Sequence, residues 1–276
     1  MSFKLLIVGE NSFLAKSFYR EACEDTGLSV KKCGHEHIPQ NIDVYDWVVN
    51  FSFNSSLYSN KYEESLDQDR KLANLLKFSK TKLVIISSRA IYGSFKEITL
   101  HKETKEINSA LINTYGKNKI KSETSILNIL GNSRSLICRA SNIFGEELGS
   151  KNFMGTVLNT LFNENKIILD VDIKSVRDFL PVEYFSKALL MLITNNAYGV
   201  YNLGSGIGLR LSEICNATID GYGSGIIEYS GTIYDQFIMD TSKLQSATGF
   251  MITKEKILAY AYNVGLKLKN IKNEYE

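Results

Sequence analysis

Tyr115-Gly116-Lys117-Asn118-Lys119 places a phenol and an ammonium four residues apart. The pair lies in an amphipathic run from about Thr114 to Leu130, a spacing that predicts a helix. On a helix, positions i and i+4 share a face, so the Tyr115 hydroxyl and the Lys119 ammonium converge on one point. An ammonium beside a phenol favours the ionised form of the phenol. Such a pair can exchange a proton with a carbonyl or alcohol oxygen near neutral pH. Tyr-x-x-x-Lys also occurs on helices that do no chemistry, so the surroundings decide.

A second group of residues stands near the start of the chain. The apolar strand Phe3–Val8 runs into Gly9-Glu10-Asn11-Ser12-Phe13-Leu14-Ala15, and an amphipathic helix follows to about Asp25. A strand that ends in a glycine turn and opens a helix is the layout of a dinucleotide phosphate site. The free N–H groups and the helix dipole there favour a pyrophosphate. Only Gly9 is glycine; Ser12 and Ala15 hold the second and third glycine positions. Both are small, and Ser12 can also cap the helix. Strand Ser29–Cys33 comes next. Enzymes that use NAD place Asp or Glu at its end, to bind the ribose hydroxyls. Here Gly34 stands there, flanked by Lys31, Lys32 and His35, with no carboxylate until Glu36. A 2′-phosphate is tolerated at such a site, so NADP is expected over NAD. A solvated strand edge is the plainer reading of the two lysines.

The elements that must position these groups alternate along the chain. Strand Asp46–Phe53, helix Lys61–Ser79 and strand Lys82–Ile86 lead to Ser87-Ser88-Arg89-Ala90-Ile91-Tyr92-Gly93. The Tyr115 helix, strand Ser135–Arg139 and the turn Ser141–Gly145 follow. This alternation predicts an α/β fold, a Rossmann-like doubly wound parallel sheet. Ligands bind such a sheet at the carboxyl ends of its strands, where Gly9, Ser52, Ser88 and Asn142 fall. Beyond Gly145 come helices near Phe153–Asn163, Glu183–Thr194, Leu211–Gly221 and Thr253–Lys267. Strands at Ile167–Leu169, Val200–Leu203 and Gly225–Tyr229 lie between them, and Asp240 caps a further short helix. Residues 1–150 with about 172–204 are expected to form the dinucleotide-binding domain. About 151–171 with 205–276 are expected to form a smaller α/β substrate lobe.

Composition excludes several classes. The 276 residues are 44% hydrophobic and 22% charged, which suits an ordinary globular protein with a sizeable core. A net charge of +2 is too small to point to a nucleic-acid or membrane surface. No apolar run approaches a membrane span of about 18 residues. Cys23, Cys33, Cys138 and Cys215 show no metal-type pairing and read as reduced packing residues of a cytoplasmic protein. No metal is expected.

In this order and spacing, the motifs resemble the extended short-chain dehydrogenase/reductase family, in particular its nucleotide-sugar epimerases, dehydratases and ketoreductases. The resemblance spans Ile7 to Phe250. It rests on Gly9, Asp46–Phe53, Ser87–Gly93, Tyr115 with Lys119, Arg139–Gly145, Arg177-Asp178-Phe179, Tyr201–Gly206 and Asp240–Lys243. It implies that Tyr115 is the proton donor or acceptor and that Lys119 tunes it and holds the nicotinamide ribose. Ser88 is implied to hydrogen-bond the reacting oxygen, with Ser87 as its rival. Gly9, Asn11, Ser12, Phe13, Leu14, Gly34, His35, Phe51, Ser52, Ser87 and Ser141 are the implied cofactor contacts. Arg89, Asn142, Asn152 and Arg177 are the implied substrate contacts. Arg177 is expected on a diphosphate; a surface ion pair with Asp178 is the alternative.

Absences narrow the implied reaction. The 4,6-dehydratases carry an Asp-Glu pair where this chain has Arg89-Ala90, and the 3,5-epimerase-reductases carry a cysteine at Ala90. Neither residue here is an acid or base at neutral pH. What remains moves one hydride and one proton at a single carbon. That leaves a ketoreductase or dehydrogenase, a 4-epimerase with retained NAD, or a non-catalytic dinucleotide-binding sensor or scaffold. Many relatives also place an arginine shortly before the Asp240 position, and Gly231–Met239 has none. A homodimer through a four-helix bundle that includes the Tyr115 helix is the expected assembly.

Overall fold

The computed structural model describes residues 3–149, 152–231 and 235–275. The first half runs β1 (Phe3–Val8), α1 (Phe13–Glu24), β2 (Leu28–Cys33), β3 (Trp47–Asn50), α2 (Gln68–Leu75), β4 (Lys82–Ser88), β5 (Leu100–His101), α3 (Thr114–Leu130) and β6 (Ser135–Ala140). Next come β7 (Asn142–Phe144), α4 (Phe153–Glu164), β8 (Lys166–Leu169), β9 (Val176–Pro181), α5 (Val182–Thr194) and β10 (Gly199–Leu203). The chain closes with β11 (Gly208–Arg210), α6 (Leu211–Tyr222), β12 (Ile226–Tyr229), β13 (Ile238–Met239), α7 (Ser242–Thr248) and α8 (Lys254–Tyr275).

Six strands form one parallel sheet in the order β10-β6-β4-β3-β1-β2. Strands covered on both faces need continuous apolar runs. Leu5–Val8 and Trp47–Val49 supply them and are fully buried. Phe18 and Ala22 of α1 pack with Phe185 and Leu189 of α5 in one apolar layer. Leu72 of α2 and Leu76 pack with Ile126 and Leu130 of α3 in another. The sheet is therefore doubly wound, as the alternation of elements predicts.

Strand order reverses between β1 and β3, and a ligand crevice opens at such a switch point. Gly9 stands there with φ +85°, where a Cβ would lie 2.7 Å from the Ser52 backbone nitrogen. Glycine alone permits both the turn and that approach.

Among the described residues, three small sheets accompany the large one: β11-β9-β7, β12-β8 and β13-β5. A bridge between Arg177 and Phe237 ties β9 to the segment entering β13.

One expected element is much shorter than its periodicity suggests. The helix expected over Lys61–Ser79 is regular only over α2, after a 3-10 turn at Glu64–Leu66. Asp67 accepts a hydrogen bond from the Arg70 N–H at 3.2 Å, so it caps the helix and fixes its start. α8 in turn runs past Lys267 to Tyr275.

A buried polar network fastens α3 to the sheet. Arg139 of β6 donates to both Glu123 oxygens, at 3.2 and 2.8 Å. Its remaining nitrogen donates to the Tyr92 hydroxyl and to the Glu103 carbonyl, each at 3.1 Å. Tyr92 passes the chain on to Asn202 of β10 at 2.7 Å. Replacing Glu123 with Ala leaves a buried guanidinium without its counter-charge. The expected loss is about 3–5 kcal/mol of folding stability, read by urea denaturation. A loss within the range of an exposed pair, below about 1 kcal/mol, would show that the network does not hold α3.

Candidate active site

α3 carries both residues of the central pair. Asn113 caps its start through the Gly116 N–H at 2.9 Å. A Cβ on Gly116 would lie 2.4 Å from the Ala90 carbonyl oxygen, so this glycine lets the first turn of α3 press onto the turn after β4. Ser88 caps that turn, accepting from the Ala90 N–H at 3.2 Å. Tyr115 thus stands beside the segment that presents Ser88. The Ser87 hydroxyl is buried and donates to Glu123, which removes it from competition for a reacting oxygen.

Lys119 is buried and reaches inward. Its Nζ donates to the Ile86 carbonyl at 2.8 Å and lies 3.7 Å from Asp69 Oδ2. Phe53 covers it, with Nζ 4.6 Å from the ring centroid. The same ring meets Tyr115 edge-on at 5.5 Å, and Tyr58 lies 4.8 Å from Tyr115. Burial disfavours the Lys119 ammonium, but Asp69, Tyr115 and Asp67 outweigh it and hold its pKa above the ordinary lysine value. Asp69 is itself fixed by Asn50 Nδ2 at 2.6 Å and Ser122 Oγ at 3.2 Å. Asn50 also accepts from the Ser52 N–H at 3.0 Å, which shapes the exit of β3.

The expected cofactor contacts divide into those that face the crevice and those that do not. Ser12 caps α1 through the Ala15 N–H at 3.2 Å. Among the described residues, the backbone N–H groups of Phe13 and Leu14 meet no acceptor, as the first turn of a helix dictates. Asn11 is exposed beside them. Ser141, one residue past β6, is buried, and its Oγ has no partner among the described residues. An orphaned hydroxyl at a strand's carboxyl end fits a carboxamide, and Gly9 with the open N–H groups fits a pyrophosphate. The Phe51 ring is buried against Phe18 at 5.5 Å. At the end of β2, Gly34 and His35 mark an open edge. His35 lies 3.8 Å from Glu36, and Lys32 lies 4.0 Å from Glu10 and over the Tyr19 ring.

Of the expected substrate contacts, Asn142 lies on β7 and Arg177 on β9, while Arg89 follows β4 and Asn152 precedes α4. Asn142 Nδ2 donates to the Asp178 carbonyl at 3.0 Å, and Asn152 caps α4 through the Gly155 N–H at 2.7 Å. Arg177 is buried but does not pair with Asp178. That carboxylate lies inside the fold, accepting from the Ser205, Gly206 and Met239 N–H groups. Arg177 Nη2 instead meets Asp235 Oδ2 at 2.8 Å, and Arg89 Nη2 meets the same oxygen at 3.1 Å. Burial opposes the Asp235 carboxylate, yet Arg89 and Arg177 hold its pKa below the ordinary value. The stretch that lacks an arginine therefore supplies an acid that binds two. Its residues 232–234 lie outside the described part.

A profile of the NAD dependent epimerase/dehydratase family matches residues 46–204, more than half of the chain. The chain belongs to this family. The resemblance drawn from motif order is borne out at that level. Solved structures share this fold. One is an NAD-dependent NDP-hexosamine 5,6-dehydratase involved in tunicamycin biosynthesis, 16% identical, covering 98% of each chain with a TM-score of 0.80. A dTDP-glucose 4,6-dehydratase from Bacillus anthracis str. Ames, solved with NAD, is 17% identical over 98% of this chain and 97% of its own, with a TM-score of 0.79. A UDP-N-acetylglucosamine 4-epimerase from Methanobrevibacter ruminantium M1 is 17% identical over 98% of this chain and 100% of its own, with a TM-score of 0.78. Among the described residues no helix is long and apolar enough to cross a membrane.

Asp69, Ser122, Phe53, Tyr58 and Asp235 escape the sequence reading. Only Ser122 carried a signal, as the i+3 neighbour of Lys119 on one helix face. Asp69 gives this epimerase/dehydratase chain a testable electrostatic feature. With Asp69→Asn, burial of Lys119 loses the largest charge that opposes it, and its folded pKa is expected to drop below the unfolded value. The unfolded chain then binds more protons, so the variant should gain stability as pH rises from 7 towards about 10. In the wild type the folded pKa is raised. Its contribution is complete below the unfolded lysine value and is lost as pH rises through the folded one. Urea denaturation across this range, variant against wild type, reads the difference. Parallel curves would remove Asp69 as the counter-charge.

Proposed function

We propose that the protein is an NADPH-dependent ketoreductase that reduces a keto group, at C4, of a nucleotide-activated deoxysugar for surface-polysaccharide precursors. The observation that supports it most is the Tyr115–Lys119 pair on α3, docked through Gly116 onto the turn that Ser88 caps at the carboxyl end of β4. A binding module has no need of that assembly. The dinucleotide, when bound, supplies the hydride. Gly9, Ser12 and the first turn of α1 would hold its pyrophosphate, and Ser141 its carboxamide. Tyr115 donates the proton to the carbonyl oxygen, and Ser88 orients that oxygen by hydrogen bonding. Lys119 holds positive charge beneath Tyr115 as the phenol gives up its proton. Arg89-Ala90 offers no further acid or base, so the chemistry stays at one carbon.

The preference for NADP rests on Gly34 at the end of β2, with exposed Lys31 beside it and no carboxylate before Glu36. One observation favours a second reading, a nucleotide-sugar 4-epimerase with retained NAD. Glu10 approaches Lys32 beside the end of β2 and engages that cation. We further propose that residues 1–150 with about 172–204 bind the dinucleotide and that the rest receives the sugar nucleotide. The chain is proposed to act as a cytoplasmic homodimer through the α2–α3 face.

Titration with both reduced cofactors and turnover on a nucleotide 4-keto-6-deoxysugar test these readings together. The wild type should bind NADPH more tightly than NADH; the reverse order favours the epimerase. Tyr115→Phe should keep cofactor affinity and lose about 10²–10⁴-fold in turnover. Lys119→Met should lose turnover and also weaken NADPH. Wild-type turnover by Tyr115→Phe would mean that the proton comes from another group.

A further inference from the structure

Arg89 and Arg177 lie far apart in the chain, yet both pair with one oxygen of Asp235, and Arg177 Nε also donates to the Asp235 backbone carbonyl at 3.2 Å. Arg89 stacks on the Phe237 ring with its guanidinium carbon 4.0 Å from the centroid. Arg177 lies 5.4 Å from the Phe153 centroid. The rings hold the two planar cations close together despite their repulsion. Asp235 is tied down further by Ser94 Oγ on its other oxygen at 2.6 Å. One carboxylate therefore touches two guanidinium groups, and the cluster retains an excess positive charge. Its position is specific. Arg89 directly follows Ser88, and Arg177 directly precedes Asp178, whose carbonyl takes the Asn142 amide.

We propose that Arg89 and Arg177 form a two-cation clamp for an anionic group of the substrate, and that Asp235 occupies the clamp until that group displaces it. The proposal rests on the nucleotide-sugar reading for the identity of the anion, a diphosphate or a sugar carboxylate. Arg89 supplies the cation that the stretch before Asp240 lacks. Asp235 acts as an internal competitor. It keeps both guanidinium groups paired and preorganised in the free protein, and it weakens every anion by the fraction of time it holds the clamp. Planar guanidinium forks accept a carboxylate and a phosphate with the same geometry. The side chain already seated there is thus a chemical stand-in for the ligand.

Calorimetric titration of the full chain with inorganic pyrophosphate, UDP-glucose and UDP-glucuronic acid tests this on the wild type, Asp235→Asn and Arg89→Gln. Removing the competitor should tighten binding about tenfold. A gain for pyrophosphate and both nucleotide sugars identifies a diphosphate clamp. A gain confined to UDP-glucuronic acid identifies a carboxylate clamp. Arg89→Gln should weaken the same ligand about tenfold. It leaves Arg177 and Asp235 paired one to one, so it decides the matter if Asp235→Asn fails to fold. Unchanged or weaker binding by Asp235→Asn for every ligand, with Arg89→Gln also unchanged, would overturn the clamp. The nucleotide-sugar reading would survive that result if the wild type binds either sugar. A gain for pyrophosphate in a chain that binds neither sugar would keep the clamp and count against that reading.

Discussion

An ammonium taken out of water is costly unless a counter-charge goes with it, and that constraint shapes the centre of this molecule. Lys119 is buried, so Asp69 is buried with it, and Asn50 and Ser122 satisfy Asp69 in turn. Asn50 ends β3 and also fixes Ser52, which presses against Gly9 at the switch point. A single charge thereby links α3, α2, β3 and the glycine turn. The proposed reaction centre and the proposed dinucleotide crevice share one set of supports.

The second support is the Glu123–Arg139 pair, about one turn further along the same helix face. It holds α3 to β6 and draws Ser87 away from the cleft. Gly116 completes the docking by allowing contact with the Ala90 carbonyl. Between them, these contacts set the depth and rotation of α3. Tyr115 is left half-exposed at the surface of the cleft, while Lys119 points inward beneath it. The proposed proton transfer needs that division, with the phenol open to a substrate and the charged lysine held under it.

Much of this was legible in the sequence. β1 and α3 fall at the predicted residues because their apolar spacing is strong and their neighbours are unambiguous. The start of α2 was not, because the cap at Asp67 overrides a periodicity that runs on upstream. The packing of the Phe51 ring on Phe18 in the core had no local cue either. The Arg89–Asp235–Arg177 cluster could not be read at all. Its contacts span 146 and 58 residues of chain, and pairing at that distance depends on how the small sheets meet. An acid in a stretch expected to hold a base gave no local cue.

The central claim is that one carbon of a sugar receives a hydride from outside and a proton by way of Tyr115. The most direct measurement is mass spectrometry of the product formed with NADPH deuterated at the transferred position of C4. The account predicts a nucleotide sugar carrying a single deuterium on the ring carbon that was the ketone. A product formed without deuterium would mean that the hydride came from a dinucleotide retained on the protein and not from the NADPH supplied, and would contradict the reductase.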